Sequence, residues 1–202
     1  MSSSNLIRWG ALAIMVAGAL SILLGALSIP WFVKESSEGT GWFLVEMTRW
    51  AALVVGLAGL YLYLRSSGRV GVIGMVGLCM LAIVSLANVI IYLTFALTDG
   101  AGAQGFDARF GAIQALLTIL GILLSGLGIL RAGSLPRVGA WLWILAALSF
   151  MGVIVSFIVG ASGAFANWGF LVVDGLWGVG CIVLGRSLWS HRGEPVQPAR
   201  VS

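Results

Sequence analysis

Phe165–Trp189 reads FANWGFLVVDGLWGVGCIVLGRSLW. As a helix rising 1.5 Å per residue, this stretch crosses the roughly 30 Å hydrocarbon core of a bilayer. Asp174 stands at its centre and is the only acidic residue placed deep in any apolar stretch of the chain. A carboxylate at mid-membrane costs about 3 kcal/mol, so it calls for a partner, a water-filled cavity or a function.

Five further stretches of the same character precede it. Across 202 residues only 9% are charged and 60% hydrophobic, with a mean hydropathy of +1.07; a globular domain carries about 25% charged residues. Charge minima divide the chain into spans at about 9–28, 42–64, 70–97, 110–130, 138–160 and 165–189. The expected fold is all-α: a polytopic membrane bundle of six transmembrane helices forming one domain over 1–189. A polar tail follows at 190–202.

The arginines orient this bundle. Arg8, Arg65, Arg69, Arg131, Arg137, Arg186, Arg192 and Arg200 fall at one set of span ends, and Lys34 and Arg109 at the other. The positive-inside rule then places both termini in the cytoplasm. The net charge of +4 reflects this orientation. Arginines scattered over short loops do not form a nucleic-acid-binding patch. One alternative concerns the first span: Arg8, an apolar run and then Ala26, Leu27 and Ser28 have the outline of a cleavable signal peptide. Against this, the run is long for a signal core, and Pro30, Trp31 and Phe32 read as a helix exit with an aromatic anchor.

Aromatic residues fall near the span ends. Trp31, Trp42, Phe43, Trp50 and Trp168 are expected at the outer interface, and Trp9, Tyr61, Tyr63, Trp141, Trp143 and Trp189 at the inner one. Trp177 is the exception, three residues beyond Asp174, where its indole N–H is placed to donate to the carboxylate.

Two connections echo each other. LRSSGRVG at 64–71 and LRAGSLPRVG at 130–139 both carry an arginine at each end of a glycine-bearing turn. Convergent hairpin chemistry and a parallel hairpin repeat both account for the echo. With these turns in a six-span chain of this length, the sequence resembles uncharacterised bacterial integral membrane proteins grouped as a domain of unknown function. That resemblance implies a bacterial inner membrane and brings no activity, ligand or catalytic residue.

Small and polar residues recur at three-and-four spacing along the spans. The rows are Ala11, Gly18, Ser21, Gly25, Ser28; Gly74, Leu78, Leu81, Ser85, Asn88, Tyr92; Gln114, Thr118, Gly121, Ser125, Gly128; Ser149, Gly152, Ser156, Gly160; and Asn167, Asp174, Gly178, Cys181, Gly185. Such stripes face neighbouring helices in membranes, because close backbone approach replaces the driving force that lipid removes. Counted from the arginine ends at 1.5 Å per residue, Asp174 and Ser149 lie at about 18 Å and Arg49 and Gln114 at about 24–26 Å. Glu46 and Asn88 follow at about 28 Å. The expected arrangement is a closed inner half beneath a polar recess that opens outward, formed by Asp174, Arg49, Glu46, Asn88, Gln114 and Trp177. Arg49 has two possible partners, Asp174 across the bundle and Glu46 three residues away on its own helix.

Other chemistries find no foothold. The one histidine, His191, is in the tail, so no histidine metal or haem site is expected, and no cofactor is implied. Cys79 and Cys181, on separate spans, read as packing residues. No phosphate loop, nucleophile elbow or zinc-protease motif occurs, and a lone deep carboxylate is weak support for an enzyme. The sequence points first to a structural or accessory membrane protein, with a small carrier or ligand-binding protein built around Asp174 as the alternative. Its partners are then the bilayer and either another membrane protein or a small polar or cationic ligand.

Overall fold

The computed structural model describes residues 3–27, 40–67, 71–98, 108–160 and 163–190. They form six helices: α1 (Ser3–Leu27), α2 (Thr40–Ser66), α3 (Val72–Leu97), α4 (Ala108–Ala132), α5 (Arg137–Ile158) and α6 (Gly163–Ser190). All six are long and apolar enough to cross a membrane. The expected exit at Pro30, Trp31 and Phe32, the first arginine-bearing turn at 68–70 and the tail beyond Ser190 lie outside the described residues.

Each helix packs against its neighbours in sequence, and α6 returns to pack against α1. The result is a closed ring. Short connections make consecutive helices antiparallel, and an even number of them lets the last run antiparallel to the first as well. The first helix is therefore part of the wall, with Ala11, Ile14 and Ser21 fully buried. The turn between α4 and α5 is resolved. Gly133 adopts a φ of 61°, a left-handed conformation that an L side chain resists, and Pro136 caps the start of α5.

Polarity is distributed inside out. Val72, Ile83, Ile90, Ile113 and Val138 are more than half exposed on the outer surface, whereas Ser21, Ser85, Asn88 and Glu46 are buried. That arrangement suits a lipid surround, where apolar side chains lose nothing by facing outward and polar groups need protein partners. Glycines set close helix seams. A Cβ built on Gly18 would lie 2.5 Å from the Gly178 carbonyl oxygen, so α1 and α6 meet backbone to backbone.

Most small-residue stripes face inward, but α5 departs from expectation. Gly152 and Gly160 are exposed, while Ala140, Trp143 and Ala147 are fully buried. A one-residue offset rotates the face by about 100°, and the buried face here runs through Trp143, Ala147 and Val153, with Ser156 of the expected stripe also buried. Cys79 is likewise exposed, not packed, while Cys181 is buried. Trp9, Trp141, Trp168 and Trp189 are exposed near helix ends as expected, but Trp143 is not interfacial. It sits in the core with Leu60, Leu64, Ile129, Leu184 and Leu188, which together close the half of the ring nearest the turn between α4 and α5.

Candidate functional site

The other half of the ring is not filled. A cavity of about 360 Å³ lies there, and its lining includes Asp174, Arg49, Glu46, Asn88, Gln114 and Trp177. All six residues singled out from sequence thus meet in one space. Helix geometry explains the first step: Glu46 and Arg49, three apart on α2, share a face, and the ring turns that face inward so that Glu46 is 7% exposed.

Arg49 binds both of its candidate partners. One terminal nitrogen, Nη2, lies 2.7 Å from Glu46 Oε2, and the other, Nη1, donates to Asp174 Oδ1 at 3.1 Å. The planar fork of a guanidinium permits this division, which a single ammonium point charge would not hold as well. The guanidinium carbon also lies 4.8 Å from the centre of the Trp50 ring. Trp50 accordingly forms part of the cavity wall rather than an interfacial anchor. On the far side, α1 supports Asp174 by having no side chain at Gly25: a Cβ there would lie 2.8 Å from the Asp174 Cβ.

An amide pair occupies the opposite part of the lining. The Gln114 side-chain amide donates to Asn88 Oδ1, Asn88 Nδ2 donates to the Val84 carbonyl at 3.0 Å, and Thr118 Oγ1 donates to the Gln114 carbonyl at 2.8 Å. The first of these bonds joins α3 to α4; the other two lie within their own helices. The hydroxyls of Ser21, Ser85 and Ser156 are instead used within their own helices, on the carbonyls of Ala17, Leu81 and Val153. They lie on the small-and-polar stripes, but local back-bonding to the helix satisfies them without any cavity.

Trp177 does not donate to Asp174. Its ring stacks on Trp143, with centroids 4.4 Å apart and planes at 29°, so it forms the cavity floor where the packed half begins. Sequence reasoning missed three further aromatic wall residues, Tyr92, Phe150 and Phe170. Tyr92 was on the inward stripe of α3 and so was within reach of the pattern. Phe150 and Phe170 were not, because a phenylalanine in an apolar helix carries no signal of which way it faces. Among the described residues, no three His, Cys, Asp or Glu side chains gather to hold a metal ion.

No family model, curated protein or solved structure matches the chain.

Proposed function

We propose that the chain is a six-span inner-membrane protein with both termini cytoplasmic, whose cavity opens away from the cytoplasm and binds a small polar or charged ligand. It acts as a small carrier or binding protein. The observation that carries this reading is that Asp174 is ion-paired and also faces about 360 Å³ of space. Ligand pockets run from roughly 300 to 1,000 Å³ and combine apolar walls with a few convergent polar groups. An ion pair serving only to lock helices would be better closed over, since burying charge beside an unfilled space forgoes packing contacts.

The orientation rests on the arginine distribution and the positive-inside rule. The resemblance to uncharacterised bacterial six-span proteins belongs to the same proposal and supplies the choice of membrane. A structural or accessory role has one observation in its favour: Arg49 bridges α2 and α6, which are otherwise barely in contact across the ring.

Accessibility separates the two. In a Cys79→Ala background, Gln114→Cys should react with a membrane-impermeant thiol reagent added to the outside of intact cells, and the background chain should not. Labelling from the cytoplasmic side alone, or from neither side, would contradict an outward-opening cavity.

A further inference from the structure

We infer that the cavity selects a small organic cation, an ammonium with short alkyl groups; this rests on the ligand-binding reading above and specifies its ligand class. Three observations converge on it.

The first is charge. Among the described residues, Arg49 is the only basic side chain in the lining, set against two carboxylates, Glu46 and Asp174. With all three ionised, one negative charge is uncompensated in a space walled by apolar helices, where an unpaired charge is costly. A ligand bringing one positive charge removes the imbalance. A neutral ligand leaves it, and an anion makes it worse.

The second is the wall. Trp50, Tyr92, Phe150, Phe170 and Trp177 line the cavity from α2, α3, α5 and α6. Aromatic faces attract cations through the ring quadrupole, and an alkylated ammonium loses less hydration on entering such a cage than a bare metal ion does. The third is a precedent within the cavity itself: the Arg49 guanidinium already lies over the Trp50 ring at 4.8 Å while its nitrogens are held by the two carboxylates. Carboxylate on one side and aromatic face on another is how this cavity holds the Arg49 cation. The amides of Asn88 and Gln114 bond to each other across α3 and α4, so they add polarity without adding charge.

The test uses the full chain in a non-ionic, sugar-headed detergent and three probes of nearly the same shape. Choline is cationic, 3,3-dimethylbutanol is its neutral analogue and 3,3-dimethylbutyrate is an anion. Calorimetric or thermal-shift titration should give choline at least about tenfold the affinity of the alcohol, the scale of one cation–π contact of about 1–2 kcal/mol. The anion should bind no better than the alcohol. Asp174→Asn should erase most of the choline preference. Tyr92→Leu should reduce it while Tyr92→Phe, which keeps the ring, retains it; loss of the preference in the phenylalanine variant would count against the aromatic part of the argument. Equal affinity for choline and the alcohol would overturn cation selection while leaving a ligand-binding cavity intact. If none of the three probes binds, the inference fails, and a wider screen of small polar solutes decides the ligand-binding reading separately.

Discussion

The two halves of this ring are made from the same six helices and are filled in opposite ways. Nearest the arginine-bearing turn of α4 and α5, Leu60, Leu64, Trp143, Leu184 and Leu188 interlock with almost no exposed area. In the other half the same helices present Glu46, Arg49, Asn88, Gln114 and Asp174 around about 360 Å³ of space. Packing that is complete at one end and withheld at the other separates a part that holds the ring closed from a part that can take something in. Trp177 joins them, stacked on Trp143 below and lining the cavity above.

Substitutions should divide along that line. The largest effect belongs to the packed half: Trp143 is fully buried, and Trp143→Ala should cost about 3–5 kcal/mol in detergent unfolding. A loss under about 1 kcal/mol would mean that this half is not the structural base. Next comes Arg49→Gln, which leaves two carboxylates facing each other without a cation and should cost about 3 kcal/mol. Asp174→Asn should cost clearly less, because Arg49 keeps Glu46 at 2.7 Å. Equal losses for the two variants would sink the shared-guanidinium arrangement.

Smaller effects sharpen the comparison. Gly25→Ala forces a methyl against Asp174 and should destabilise by about 1–3 kcal/mol, with thermal unfolding as the measure. Gln114→Leu removes one interhelical hydrogen bond, worth about 0.6 kcal/mol in membrane proteins, and should shift the unfolding midpoint only slightly. A shift as large as that of Trp143→Ala would show that the cavity half carries the fold.

Much of this arrangement was legible in the chain, and what was not has physical causes. Spans could be read because lipid demands some twenty apolar residues for each crossing, and apart from the start of α1 the helices end within about two residues of the expected span ends. The candidate residues came together because depth can be counted from an arginine at 1.5 Å per residue. The rotation of a helix about its axis is harder to read. Gly152 and Cys79 face outward against expectation, because small size suits a crowded seam and a lipid surface equally. Trp50 and Trp143 were assigned to interfaces from depth alone, and only tertiary packing turned them inward. The choice between Glu46 and Asp174 for Arg49 had no answer in sequence, since the forked side chain takes both.

A cysteine scan along α4 tests the division most directly, because this one helix passes through both halves. In the Cys79→Ala background, single cysteines would replace Gln114 and Thr118, which line the cavity, and Ser125 and Ile129, which are buried in the packed half. Reaction with a small water-soluble maleimide in detergent should be at least about tenfold faster at the first two than at the last two, since thiol reactivity follows access by water. Equal rates at all four positions would contradict a bundle that is open at one end and closed at the other.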